Sequence, residues 1–372
     1  MVVYVKEDVL SIEKIKHFVR ENVILRSYKN GVKLKAEDFL MISRQRKTND
    51  FEVEQKQILI YEDLFEQVLE SVIKECNYNF DYYYLKNAIL KAEKTAINTV
   101  VTGSSYGLFG IEESMLSNAV NLSLASQDLY YSIKGIEAVC NVNSHIKNIV
   151  LCCSHYYLFS DLSKSRNSDS IQRMSKVYVP LFGDAHNAFI VPPKSNFLVQ
   201  SCLFDVQKIM DVYSISQYEE HYFNFNRVRE NFALRLWSDK AKNWNQLEDY
   251  EKEAAARERA LLHNRNKKRD ISLSENINML NELSIFCNQK GINLIIVVAP
   301  ASKYYVENIW PGFQEIFYET LENIDGVVHL LDLYTDEGFV EEDYIDMDHL
   351  SDLGARKVTE NILSVLQTIS SM

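Results

Sequence analysis

From about residue 95 onward, short apolar runs alternate with longer segments whose apolar positions recur at helical spacing. The runs are Ile97 to Thr102, Ala119 to Leu124, Ile149 to Cys153, Asn293 to Ala299 and Val327 to Leu331. Runs of strand length with few polar interruptions predict strands buried on both faces, and helices between them predict a parallel sheet. Gln127 to Cys140 and Leu273 to Gln289 read as such helices, the second with Leu273, Ile277, Leu280, Leu283 and Cys287 on one face. The last segment reads the same way: Ser351 is placed to cap a helix whose apolar face is Val358, Ile362, Val365, Leu366 and Ile369.

Residues 1–94 follow a different rhythm. Met1 to Val5 and Val23 to Tyr28 read as strands, Asn30-Gly31 as a turn, and Glu7 to Glu21 and Tyr61 to Cys76 as helices. This predicts a small α/β appendage ahead of a main domain spanning 95–372. Within the main domain, Ser163 to about Asp270 separates two expected strands and is too long for an ordinary connection, so it is expected to form an inserted cap or lid. Its charged helix, Asp249 to Arg269, is acidic early and basic late, as the helix dipole favours, and is expected to present a solvated face. The expected fold is a three-layer α/β/α arrangement around a central parallel sheet. No internal repeat at a period of about 20–50 residues stands out.

The composition narrows the class. A chain of 372 residues with 47% apolar and 12% aromatic residues, but only 11 Gly and 5 Pro, has material for a large core and excludes disordered and collagen-like architectures. A formal charge of −12 argues against binding a nucleic-acid backbone, which needs a basic face. No run approaches the roughly 20 apolar residues that span a bilayer, the longest being Leu294 to Pro300. The N-terminus lacks the basic-then-apolar order of a signal peptide, so a cytoplasmic location is expected. The six cysteines show no CxxC spacing and are expected to be reduced, mostly buried thiols, and no metal site is expected. Neither GxGxxG nor GxxxxGK[ST] occurs, which disfavours nucleotide hydrolysis and dinucleotide cofactors.

Two sites carry candidate chemistry. In INTVVTGSSYGLFGI, Gly103-Ser104-Ser105 ends the first apolar run of the main domain and opens a helix-compatible segment. Ligands and catalytic groups of open α/β sheets collect at such carboxyl ends of strands, which makes Ser105 a candidate nucleophile; the alternative is an ordinary turn with a helix cap. Near the other end, EEDYIDMDHLSDLGA contains Asp346, Asp348 and His349. A serine hydroxyl is a weak nucleophile until an imidazole takes its proton, and a carboxylate must fix the tautomer of that imidazole. Asp346, three residues before His349, suits this role, and Asp348 is the competing partner.

Ordered in this way, the two sites resemble those of the SGNH (GDSL-type) hydrolase superfamily, in which an early Gly-Asp-Ser block carries the nucleophile and an Asp-x-x-His lies just before the last helix. Within it the sequence looks most like a branch associated with cell-surface polysaccharides, including the D-alanyl-transfer protein of teichoic acid synthesis and alginate-acetylating enzymes. There Gly-Ser-Ser replaces Gly-Asp-Ser, and a later strand ends in Pro followed by Tyr, as in GINLIIVVAPASKYY. The resemblance covers about residues 95–372 without the insertion. It implies a flavodoxin-like sheet and a serine esterase or carbohydrate O-acyltransferase, with O-acetyl as the implied group. Its substrate would be a carbohydrate or glycoconjugate precursor in surface-polysaccharide synthesis. No bound cofactor is implied, although acetyl-CoA would serve as an acyl donor.

The resemblance also assigns an oxyanion hole to the backbone N–H groups of Ser105 and Ser126, the latter where the family has Gly. Where it has a side-chain Asn, this chain offers Ser154, His155 and Tyr156, and His155 is the candidate donor, or else a packed residue under the lid. These departures keep open an alternative, a catalytically silent SGNH-like module that binds a glycan or a protein partner. His186 and His263 in the insertion lack metal-ligand spacing and read as structural or surface residues. The aromatic segments Tyr82 to Tyr84 and His221 to Phe223 read as core more readily than as sugar platforms.

Overall fold

The computed structural model describes residues 1–6, 12–116, 118–194, 196–223 and 244–371. The chain divides into two compact units, Met1–Tyr83 with Pro193–Gln217, and Tyr84–Pro192 with Tyr218–Met372. The smaller unit thus stops short of residue 94 and takes in part of the segment expected as a cap.

The smaller unit holds four parallel strands, β1 (Val2–Val5), β2 (Ile24–Ser27), β3 (Phe39–Ile42) and β4 (Ile58–Ile60), in the order β2-β1-β3-β4. Of these, β3 and β4 are additional to the strands expected from the sequence. Alternation along the strands sorts side chains to two faces. On one, Val3, Val5 and Met41 form a core with Val68 and Val72 of α2 (Tyr61–Tyr78) and with Leu203, Phe204, Ile209 and Met210. On the other, Tyr28, Leu40 and Ile42 gather Tyr4, Val32, Phe51 and Ile58. The segment 193–217 is tied to this unit by hydrogen bonds as well, Arg20 N–H to the Leu203 carbonyl and Asp205 N–H to that of Phe18. The expected helix Glu7 to Glu21 is seen as α1 (Ile12–Lys16); residues 7–11 lie outside the described residues.

In the larger unit all five expected apolar runs form strands: β5 (Thr99–Gly103), β6 (Ala119–Asn121), β7 (Asn148–Cys153), β8 (Asn293–Val298) and β9 (Val328–Asp332). They make one parallel sheet in the order β6-β5-β7-β8-β9. Burial of β5, β7 and β8 on both faces is why their sequences are nearly unbroken apolar runs. The helices alternating with the strands include α3 (Phe80–Ala92), α4 (Ser105–Gly110), α5 (Leu129–Val142), α6 (Asp249–Asn264), α7 (Asp270–Lys290), α8 (Gly312–Glu322) and α9 (Asp352–Ser370). As expected, Ser351 caps α9, its hydroxyl accepting from the Gly354 N–H. The fold is a three-layer α/β/α arrangement of the flavodoxin-like strand order. In that order the chain leaves β5 for β6 on one side and returns to β7 on the other, so the carboxyl ends of β5 and β7 flank the point where ligands bind in such sheets. Ser105 follows the first of these ends and His155 the second.

Candidate active site

The candidate nucleophile position is set by two glycines. Gly103 ends β5 with φ +133°, and a Cβ there would sit 2.0 Å from the Cys152 carbonyl oxygen. Only glycine lets β5 turn this close to β7. Gly107, one helical turn on, packs so tightly that a Cβ would fall 2.1 Å from Ser123 Oγ. Between them Ser104 caps α4, its hydroxyl accepting from Tyr106 N–H, and Ser105 becomes the first helical residue.

Ser105 and His349 lie 244 positions apart in sequence and meet at 2.9 Å, Ser105 Oγ to His349 Nε2. On the other side of the ring, His349 Nδ1 lies 2.8 Å from Asp346 Oδ2 and 3.0 Å from Oδ1. Asp346 Oδ1 also accepts the backbone N–H groups of Asp348 (2.9 Å) and His349 (2.8 Å), so one carboxylate shapes the turn and orients the imidazole. The turn is closed by Ile345 N–H on the His349 carbonyl. Tyr106 stacks on the His349 ring at 5.7 Å, and Phe109 meets it edge-on at 5.5 Å. Exposure is 8% for Ser105 and 3% for His349.

Asp348, the competing partner, is placed differently. Its Oδ1 is 3.5 Å from His349 Nδ1, beyond hydrogen-bond length. It accepts the Tyr106 hydroxyl at 2.8 Å and faces Arg259 Nε at 3.3 Å. Burial alone would raise the Asp348 pKa, but Arg259, His349 and Tyr106 hold it well below the carboxylate range. Burial works to lower the His349 pKa, yet Asp346 and Asp348 overcome it and leave the imidazole above its ordinary value, with Arg259 opposing them. Asp346, Asp348 and His349 each offer a metal-ligand type of atom within 4.8 Å of the others. Those atoms are already engaged, by Arg259 and Tyr106 at Asp348 and by each other at Asp346 and His349.

The charged helix α6 has the expected solvated face, with Glu253, Arg257 and Glu258 exposed, and on its other side it buries Lys252, Ala256, Ala260 and His263 and delivers Arg259 to Asp348. These residues recur at three- and four-residue spacing, with two alanines among them, and that small-residue stripe was the available signal. His263 stacks on Tyr156 at 4.1 Å and bonds the Tyr305 hydroxyl at 2.5 Å; burial and Arg259 lower its pKa to about 3, so it stays neutral. His186 stacks on Tyr130 at 3.8 Å and bonds Glu275 at 3.0 Å. Tyr84 is buried with its hydroxyl on Glu113, and Tyr82 meets Tyr83 edge-on; the side chains of His221, Tyr222 and Phe223 lie outside the described residues.

The two further oxyanion candidates make no hydrogen bond to Ser105, His349 or Asp346 among the described residues. Ser126 sits in the turn between β6 and α5 with φ +61°, a left-handed conformation that glycine adopts most easily. The loop around it is held by Gln127, whose amide donates to the Leu122 carbonyl, Thr102 and Ser132. His155 is buried against Phe317 and Tyr334, with Nε2 3.3 Å from the Tyr318 hydroxyl, and burial lowers its pKa to about 4.

Four of the cysteines are buried, Cys140 is half-buried and Cys202 exposed, all as free thiols. Among the described residues no helix is long and apolar enough to cross a membrane. No known protein-family model matches the chain, and comparison with curated proteins finds no similar sequence.

Proposed function

We propose that the protein is a serine-dependent acyl-transfer enzyme of the SGNH type. The observation that carries this is the continuous hydrogen-bonded series Ser105, His349, Asp346 at the carboxyl end of the central sheet. Ser105 Oγ attacks the carbonyl carbon of an ester as its proton passes to His349 Nε2. Asp346 keeps the other ring proton on Nδ1 and stabilises the imidazolium. His349 then gives its proton to the leaving alkoxide, and the acyl group stays on Ser105. Water completes hydrolysis; a sugar hydroxyl completes O-acyl transfer. The Ser105 and Ser126 backbone N–H groups stabilise the oxyanion. The left-handed backbone at Ser126, where the family has glycine, supports that placement.

The resemblance supplies the substrate class: a carbohydrate or glycoconjugate precursor of surface polysaccharide, acted on in the cytoplasm, with a coenzyme A thioester as a source of acyl groups. A second reading, a silent SGNH-like module that binds a glycan or protein partner, is favoured by one observation, the engagement of His155 with Tyr318. Treatment of the purified protein with a fluorophosphonate probe and p-nitrophenyl esters separates the two. Wild type is expected to be labelled and to cleave ester, with both lost in Ser105→Ala and His349→Ala. An unlabelled wild type would select the binding module.

A further inference from the structure

A pocket of about 200 Å³ lies over the carboxyl ends of β7, β8 and β9. Ser154, His155 and Tyr156 of its wall follow β7, Tyr305 and Trp310 follow β8, and Tyr334 follows β9. Open parallel sheets bind ligands at this end of their strands. Ser105, His349 and Asp346 are not among its lining residues, so the pocket is treated as a site of its own, and its assignment does not rest on the acyl-transfer reading.

No side chain of the wall carries a charge: burial keeps His155 neutral, and the others are hydroxyl, amide, aromatic or aliphatic. Two of its hydroxyls are unsatisfied. Ser154 is 4% exposed and its Oγ has no hydrogen-bond partner; Tyr334 is 6% exposed and its hydroxyl makes no hydrogen bond among the described residues. The half-buried Trp310 adds an indole N–H that is likewise unpaired among the described residues. A buried hydroxyl left unpaired is costly, and it is satisfied best by a group that both donates and accepts, as another hydroxyl does. A carboxylate only accepts, and its charge would meet no cation in this wall. An alkyl guest would leave both hydroxyls unpaired. The rest of the lining, including Val306, Ile309, Trp310 and Phe313, offers aromatic and aliphatic surface to the C–H face of a ring. A cavity of about 150 Å³ holds benzene, so this one accommodates a single six-membered ring with its substituents.

We infer that this pocket is a binding site for one uncharged, ring-shaped polyol, whose hydroxyl groups pair with Ser154 and Tyr334 and whose C–H face packs on the aromatic wall. It discriminates against acidic rings and against rings without several hydroxyls. Ring hydroxyls reproduce the hydrogen bonds that water makes to such groups, which an alkyl surface cannot do. Each hydrogen bond of this kind should be worth about fivefold in affinity.

Saturation-transfer NMR on the full chain tests this, with methyl glucopyranoside, methyl galactopyranoside, methyl mannopyranoside and myo-inositol as probes and with glucuronate and cyclohexanol as controls. At least one of the neutral polyols is expected to bind, and to bind more tightly than either control. Tyr334→Phe, which deletes one hydroxyl and keeps the ring, should weaken that binding about fivefold. Ile309→Trp, which fills the pocket from a half-buried position, should abolish it. Thermal unfolding verifies both variants, and Tyr334→Phe decides the matter if Ile309→Trp does not fold. Binding of none of the polyols, a control that binds as tightly as the best of them, or a folded Tyr334→Phe that binds like wild type overturns the assignment.

Discussion

Asp346 and Asp348 both approach His349, and replacing each by asparagine separates their roles. Asp346 Oδ1 accepts two backbone N–H groups, from Asp348 and His349. In Asp346→Asn those donors fix the amide oxygen at the same place, so the turn is kept and the amide nitrogen occupies the Oδ2 position, 2.8 Å from His349 Nδ1. Two N–H donors cannot face each other at that distance. The imidazole must then carry its proton on Nε2, where it donates to Ser105 Oγ instead of accepting from it. The same change in a Ser-His-Asp triad costs on the order of 10⁴ in kcat, about 5 kcal/mol of barrier. In Asp348→Asn the Tyr106 hydroxyl still finds an oxygen, and the tautomer of His349 is untouched, so the loss should stay within about tenfold. The assay is kcat for p-nitrophenyl butyrate together with the rate of fluorophosphonate labelling, with thermal unfolding to verify the fold. A 10⁴-fold loss in Asp348→Asn with little loss in Asp346→Asn would refute the tautomer argument and hand the orienting role to Asp348. Small losses in both would remove His349 as the base.

Arg259→Met should move the acid limb of the pH–activity profile to higher pH: on the proposed mechanism His349 acts as a base only when neutral, Arg259 lowers its pKa, and without the guanidinium it stays protonated to higher pH. An unmoved limb would separate Arg259 from the site electrostatically. Gly103→Ala places a Cβ 2.0 Å from the Cys152 carbonyl oxygen at φ +133° and should destabilise the larger unit by more than about 3 kcal/mol, read from urea unfolding; a near-neutral change would show that the β5 turn relaxes freely.

The larger sheet was legible because its central strands are buried on both faces, so that Val100, Val101, Ile149, Val150, Leu294 and Ile295 follow one another without polar interruption. Ser105 and the Asp346-x-x-His349 turn were legible because local backbone chemistry, a glycine and an aspartate that caps its own turn, marks both in sequence. The short strands β3 and β4 were missed although β1, β2 and β6 are just as short, so length does not separate them. Arg259 was hidden for a tertiary reason. A charged helix reads as solvated until the tertiary fold puts a buried carboxylate against it, and Asp348 is 89 positions away. His155 shows the same limit, for its ring direction is decided by Tyr318, 163 positions on. The assignment of 193–217 to the smaller unit rests on its packing with Val3, Val5 and Met41, which no local pattern encodes.

The sequence distance between Ser105 and His349 has a consequence for synthesis on the ribosome. At roughly 5–20 residues per second, the 244 positions between them take about 12 to 50 s to translate. On the proposed mechanism, a nascent chain carries its nucleophile turn throughout that interval without the imidazole that would activate it. Every strand of the larger sheet is made before His349 emerges, so the proposed reactivity at Ser105 would switch on only when the scaffold around it can already be complete. A chain released early would be inert rather than a loose, unselective esterase, and the appearance of serine labelling during synthesis would time the docking of the last turn.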